Sequence, residues 1–390
     1  MRKIFFKGLL TMCTLAVTLA SCDNENEVPE APQKTGNVFM KLNLGQKADT
    51  RVNEAPLATG TTATVNSLHV YFYKDSDKSI QKYLKVDNTT TPSITDLTTG
   101  AQIADVPAVA DKVLVRGNVP TSMSLPTSGL ITGVENMEVE VTTQNDKGNI
   151  LLEHLAASIL TYAGGGATPI GGMQNGDKYA EIELKPAVAR IEVEGLQVAN
   201  GTAISSFSLD GIYLTNFYQK MKMGDGSSVT KIQYGADQAK YDENAVGTLY
   251  TTANKEKLFE KFVSPLGASG NPLAVVCTPS TNRWAYHVFA NDATTANDQL
   301  QLVFKLSNLQ ASAGSGLAFP AGHQFLTVRG FKDNAGNIVK LEKGKIYTIS
   351  KTDFTFDESK LSTVPNTNAV GVWLKVTVKP WTVVAVKPNL

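Results

Sequence analysis

Apolar side chains at every second position recur along this chain, and that period dictates strands more firmly than any other feature dictates structure here. Val38, Met40, Leu42 and Leu44 alternate with Phe39, Lys41 and Asn43; Leu68, Val70 and Phe72 alternate with His69, Tyr71 and Tyr73. Met137, Val139 and Val141 flank Glu138 and Glu140, and Leu300, Leu302, Phe304 and Leu306 flank Gln301 and Lys305. Stretches rich in Gly, Asn, Asp, Pro and Thr separate these runs. One apolar and one polar face describe half-buried antiparallel strands of a sandwich. Helical spacing is scarce. Leu151, Leu152, Leu155, Ile159 and Leu160, ahead of Gly164, Gly165 and Gly166, predict one helix over 150–160, and a weaker one is expected over 254–262. The expected fold class is mainly β with a few short helices.

The amino end reads differently. Arg2, Lys3 and Lys7 precede an apolar run over 9–20, and Leu19-Ala20-Ser21-Cys22 ends it with small residues before a cysteine. That is a lipoprotein signal over 1–21, with Cys22 as the acylated residue. The run is too short to span a bilayer, and Asp23, Glu25 and Glu27 follow at once. Residues 27–34 combine two prolines, small residues and charges, a composition that cannot bury enough apolar area to fold alone. They form a tether.

Once the leader is removed, the chain is long enough for two domains at roughly 100 to 200 residues each. Ile182 and Leu184, then Ile191 and Val193, alternate on either side of Pro186, which predicts a long strand broken at the proline, since proline cannot donate to a ladder. With that segment read as the closing strand of the first domain, the expected boundary follows Gly195, giving domains over 52–195 and 196–390. No internal repeat of solenoid or propeller period is visible.

Lys plus Arg equal Asp plus Glu at 36 each, so no basic excess is present to displace counterions from a nucleic acid. Of the three cysteines, Cys13 leaves with the leader and Cys22 carries lipid, so Cys277, in the apolar run 273–277, is left as a small buried hydrophobe rather than a nucleophile. His69, His154, His287 and His323 are scattered singly, without metal-ligand spacing, and His69 and His287 are expected on exposed strand faces. Gly164, Gly165 and Gly166, with Gly171 and Gly172, lack the Lys-Ser/Thr ending of a phosphate loop and read as a flexible loop. Tyr71, Phe72, Tyr73, Trp373 and Trp381 could stack on sugars, but strand aromatics more often serve a core. Neither an enzyme, a metal nor a cofactor is expected.

The tail over 371–390 is unusually apolar. Val372, Leu374, Val376 and Val378 alternate with Trp373, Lys375 and Thr377; after Pro380 the run Trp381, Thr382, Val383, Val384, Ala385, Val386 is apolar on nearly both faces. A free edge of this kind invites aggregation, so it must pair inside its own sheet or insert into another molecule.

In order, Leu19-Ala20-Ser21-Cys22, the strand over 38–44, Ala48-Asp49-Thr50-Arg51-Val52, the segment over 184–193 and the closing Val376-Thr377-Val378-Lys379-Pro380-Trp381 resemble the FimA-type fimbrillins of Bacteroidetes, subunits of type V pili. The likeness spans nearly the whole chain in architecture, through short and loose motifs. It implies two consecutive transthyretin-like, Greek-key β-sandwiches. It also implies a lipidated, palmitate-bearing precursor at the outer membrane and an arginine-specific protease that cuts after Arg51, making Val52 the new amino terminus. Arg51 is the only arginine between Cys22 and Arg116, in a polar stretch; an ordinary loop arginine is the plain alternative.

By the same resemblance the cut releases the strand bearing Val38, Met40, Leu42 and Leu44. The tail of a neighbouring subunit, through Val372, Leu374, Val376, Val378, Trp381, Val383, Val384 and Val386, fills the vacancy by strand addition. A head-to-tail contact that does not close makes a filament. The implied partners are other pilin subunits, in a homopolymer or mixed fimbria, and a host or bacterial surface ligand. The role is adhesion and biofilm formation, with a shaft subunit favoured over a tip or anchor. The competing expectation is a lipid-anchored surface glycan-binding protein, which would keep residues 22–51.

Overall fold

The structure, a computed structural model, describes residues 34–44, 62–145, 148–267, 273–277, 283–295, 298–333, 335–366, 372–375, 377–380 and 382–385. Gly36–Leu390 forms one compact unit; of the other unit, Met1–Thr35, only Lys34 and Thr35 are described. Cys22, Arg51, Val52, Val376, Trp381 and Val386 lie outside the described residues.

Strands dominate, as the alternation predicts. Numbered in chain order, they make six sheets among the described residues. The largest runs β4 (Ile80–Val86), β3 (Leu68–Tyr73), β6 (Lys112–Gly117), β8 (Leu152–Ser158), β10 (Lys178–Pro186), β1 (Thr35–Leu44), β5 (Ala101–Pro107), with β9 (Leu160–Thr161) also on β10. A second runs β16 (Phe259–Gly267), β13 (Ile204–Thr215), β19 (Gln301–Ala311), β20 (Gln324–Lys332), β23 (Leu361–Ser362), with β24 (Val372–Lys375) also on β20. A third orders β18 (Trp284–Phe289), β11 (Val188–Val193), β21 (Lys345–Ile349) and β25 (Thr377–Pro380). The small sheets are β17 (Ala274–Val276), β12 (Gly195–Val198), β22 (Thr355–Phe356); β15 (Ser228–Ile232), β14 (Phe217–Lys222), β7 (Glu138–Glu140); and β2 (Thr62–Val65) with β26 (Thr382–Ala385).

The break expected at Pro186 is present, and it is where pairing partners change. Along β10, Ala180, Ile182 and Leu184 are buried while Glu181, Glu183 and Lys185 face solvent, the period-two signature of one covered face. Its partners all precede it in sequence. After Ala187, every residue of β11 is buried, and its partners β18 and β21 both come from later in the chain.

The helix predicted over 150–160 is not there. That segment is β8, held by β6 on one side and β10 on the other, with Leu152 opposite both Gly117 and Pro186. Short apolar runs fit either period, and the long-range ladders of a central strand outweigh local helical spacing. Over 254–262 only a 3₁₀ turn, Thr252–Asn254, precedes the start of β16. Among the described residues two short α-helices form elsewhere, α1 (Ile94–Thr99) and α2 (Thr132–Glu135). In α1, Ser93 Oγ accepts from the Asp96 N–H and the Asp96 carboxylate accepts from the Ser93 N–H, a capping box.

Buried polar groups tie early strands to late ones. Arg116 has no exposed surface; its guanidinium donates to the carbonyls of Met223 (2.8 Å), Gly224 (3.0 Å), His154 (2.7 Å) and Val115 (2.8 Å). Nearby, Lys343 Nζ lies 2.8 Å from Glu153 Oε1. Gly226, at φ 65°, passes so close that a Cβ there would meet Lys343 Nζ at 1.7 Å. In the same region β7 pairs with β14, Met221 opposite Val139.

His287, expected on an exposed face, is instead 7% exposed, because Gln144 and its neighbours cover that side of β18. Its Nδ1–H donates to the Gln144 carbonyl and its Nε2 accepts from Arg190 Nη1 at 3.1 Å, while Arg190 Nε donates to Glu192 at 2.9 Å. Both ring nitrogens are engaged in the neutral form. Burial, reinforced by the Arg190 charge, holds its pKa down at about 3. In the unfolded chain His287 protonates below its ordinary value near 6.5, so the unfolded state takes up the extra proton as pH falls. Stability is therefore full above pH 6.5 and declines by several kcal/mol as the pH is lowered from there towards 3. Urea midpoints between pH 8 and pH 4 measure this; a His287→Gln variant, which cannot protonate, loses that part of the slope.

Candidate functional site

β1 is an interior strand. β10 flanks it on one side in parallel register, Val38 opposite Lys178, Met40 opposite Ala180, Leu42 opposite Ile182 and Leu44 opposite Leu184; β5 flanks the other. Its alternation does what the sequence predicts. Val38, Met40 and Leu42 are 4%, 0% and 2% exposed, set beside Ala180, Ile182 and Leu184 in one continuous core. The other face is wetter. Phe39 is half-buried opposite Tyr179, Lys41 is half-buried opposite exposed Glu181, and Asn43 is exposed opposite exposed Glu183.

At roughly 1.5–3 kcal/mol for each buried side chain, the three inward residues contribute about 5–9 kcal/mol, before either ladder is counted. Two rows of main-chain donors and acceptors, on β10 and β5, depend on this strand. Yet β1 stands at the beginning of the unit, and the next described strand, β2, starts at Thr62. Arg51 falls in the connection between them. A single cut there severs every covalent link between β1 and the body that holds it.

The tail is paired within its own chain, one of the two fates its composition allows. β24 runs parallel to β20, Val372 opposite Val328 and Leu374 opposite Phe331. β25 is antiparallel to β21, Val378 opposite Tyr347. β26 is parallel to β2, Val383 opposite Ala63 and Val384 opposite Thr64. Among the described residues each of these strands has a single neighbour, and β25 and β26 lie at sheet edges.

The remaining candidate residues are structural. Tyr71, Phe72 and Tyr73 are 0%, 0% and 2% exposed, so they are core and offer no face to a sugar. Cys277 is buried at 4%, as expected of a small hydrophobe. His69 Nδ1 meets Tyr83 Oη at 2.9 Å, half-buried, and burial with the Lys85 charge lowers its pKa to about 4. His323 Nε2 lies 3.0 Å from Asp210. Among the described residues no group of three or more His, Cys, Asp or Glu could hold a metal ion. An open cleft lined by Asn66, Asn118, Val119, Pro120, Asn145 and Lys257 among others carries no aromatic ring.

Sequence reasoning identified β1 but not that β5 closes its second edge. Nothing in residues 101–107 announces that pairing, since the neighbour is fixed by topology. Arg116 and the β7–β14 ladder were equally silent.

The family profile described as Major fimbrial subunit protein (FimA) matches residues 37–188, from the start of β1 to the passage from β10 into β11. No curated protein matches the chain. Among solved structures, a fimbrilin (fimA) from Porphyromonas gingivalis W83 is similar at 14% identity and a TM-score of 0.50, over 90% of this chain and 99% of that one. A protein titled "putative cell adhesion protein" from Bacteroides eggerthii DSM 20697 is similar at 15% identity and a TM-score of 0.52, over 91% and 99%. One of the same title from Parabacteroides distasonis ATCC 8503 is similar at 13% and 0.53, over 88% and 97%. At such identities these likenesses speak for the fold. Residues 37–188 thus match the FimA family of major fimbrial subunits, and the fold shared with a fimbrilin extends through the rest of the chain.

Proposed function

We propose that this chain is a subunit of a type V fimbrial shaft that polymerises by strand exchange after proteolysis. The observation that carries this reading is the position of β1: an interior strand with three buried apolar side chains, attached to the body only through the connection that contains Arg51. An arginine-specific protease cuts after Arg51, leaving Val52 as the amino terminus. The freed strand, with Val38, Met40, Leu42 and Leu44, departs together with the acylated Cys22. The slot between β10 and β5 then exposes apolar surface and two unpaired ladders, which a strand from a neighbouring subunit fills. Residues 371–390 are the donor.

The lipidated precursor resides at the outer membrane and the processed chain in the extracellular fimbrium, where it supports adhesion to a host or bacterial surface and biofilm formation. Two consecutive sandwich halves, 52–195 and 196–390, suit this division of labour, with the slot in the first and the donor at the end of the second. Pairing partners change at Ala187, ahead of the boundary after Gly195: β10 pairs with earlier strands, while β11 pairs with β18 and β21 and so goes with the later half. A shaft role fits a chain with both slot and tail, since each subunit then has one neighbour to fill and one to be filled by.

Two outcomes test the reading. In cells, Arg51→Ala keeps the lipidated precursor unassembled, and mass spectrometry of the wild-type surface protein finds Val52 at the amino terminus. Normal fibres from the variant, or a mature chain beginning at acylated Cys22, would exclude the processing step and favour a lipid-anchored glycan-binding protein. In vitro, Met40→Ala lowers the stability of the full chain by about 2–5 kcal/mol in denaturant titration, whereas Lys41→Ala, on the wetter face, costs less than about 1 kcal/mol.

A further inference from the structure

Cations are divided by type between the inside and the outside of this fold. After residue 51 the chain holds four arginines against twenty-five lysines, and none of the four is exposed. Arg116, Arg190 and Arg329 are buried, and the side chain of Arg283 is 17% exposed. Lys85, Lys178, Lys185, Lys340 and Lys351 stand at exposed positions instead. We propose that the folded body is a closed substrate for arginine-directed proteolysis, so that a protease of that specificity stops after one cut, at Arg51, and leaves residues 52–390 whole. The inference rests on the reading that such a protease processes the chain, and adds what confines it to a single bond.

An endoprotease takes its substrate as an accessible, unpaired stretch, with the arginine side chain inserted into a specificity pocket; exposed loop tips meet that demand and ladders do not. The body arginines fail on both counts. Arg116 lies in β6, between β3 and β8, opposite His69 and Glu153, and its guanidinium is engaged by the carbonyls of Met223, Gly224, His154 and Val115. Arg190 lies in β11, between β18 and β21, opposite His287 and Ile346, with Nε on Glu192 and Nη1 on His287. Arg329 stands in β20, which is buried from Gln324 to Phe331 and pairs with β19, β23 and β24. Arg283 comes nearest to an exception, since it immediately precedes β18. Even there Nη2 lies 2.7 Å from Glu194 Oε1, and the next residue, Trp284, is buried and paired with Val193.

Arginine suits buried, multiply hydrogen-bonded sites better than lysine, which explains the arginines inside. It does not explain their absence outside, where a solvated face accepts either cation. Where a bond can be reached only after a strand opens, the rate of cleavage follows the population of the open form. Burial of every body arginine therefore turns a protease with broad sequence tolerance into one with a single target.

Limited proteolysis tests this. The purified precursor, without its leader, is digested under native conditions with an arginine-specific endoprotease, and the fragments are followed by intact mass. The expected result is one cut after Arg51 and a 52–390 product that persists at least about 100-fold longer than the precursor. Ser315→Arg places the same residue type in the exposed run 313–318 of the connection between β19 and β20, and is expected to add a second early cut, between residues 315 and 316. Early cleavage of the unsubstituted body after Arg116, Arg190, Arg283 or Arg329 would overturn the proposal. Resistance of the new bond in the Ser315→Arg variant would overturn it as well, because the body would then withstand the protease wherever an arginine stood. A body that stays whole with no cut after Arg51, while the Ser315→Arg variant is cut, would uphold the protection and sink the processing step on which the proposed function depends.

Discussion

An interior strand is held by two hydrogen-bond ladders at once, and the character of this protein follows from placing such a strand at the beginning of the compact unit. β1 sits between β10 and β5 with Val38, Met40 and Leu42 buried, yet no chain precedes it in that unit to hold it should the connection to β2 be cut. Buried apolar area and paired main chain make it indispensable to the sheet; its position in sequence makes it separable. The tail shows the opposite balance. It is as apolar as β1, but each of its described strands meets one neighbour only.

Much of this was legible in the residues, because a period of two survives any tertiary context in which one face is covered. The strand over 38–44, the break at Pro186 and the buried Cys277 could be read directly. What failed did so for identifiable reasons. The apolar residues from Ile150 to Leu160 fit a helix as well as a strand, and only the ladders to β6 and β10 decide between them. His287 alternates with apolar neighbours and so looked solvent-facing, but a second layer carrying Gln144 covers that face of β18. The capping box of α1 was available, since Ser93-Ile94-Thr95-Asp96 followed by Gly100 is a start and a stop signal around a single turn and a half, too short for periodicity to register. At the slot, the inward residues were visible and the second flanking strand was not, because no local signal encodes which distant strand lies alongside.

Strongly shifted ionisable groups often mark reactive sites. Here they mark structure. Tyr250 and Tyr286 are pushed well above the ordinary tyrosine range by complete burial, and Tyr250 packs with Tyr213 and Phe259 at ring separations of 5.1 and 5.4 Å. His287 is kept neutral by burial and by Arg190, with both nitrogens engaged. Each of these perturbed groups is tied to a packing or hydrogen-bonding role.

The stitching of early strands to late ones has a mechanical consequence. The Arg116 guanidinium and its carbonyls, the Lys343–Glu153 pair and the β7–β14 ladder each join residues before Ala187 to residues after it. These are short, mutually braced attachments rather than a hinge. The part of the unit before Ala187 and the part after it are therefore cross-braced at several points besides the single main-chain passage from β10 into β11.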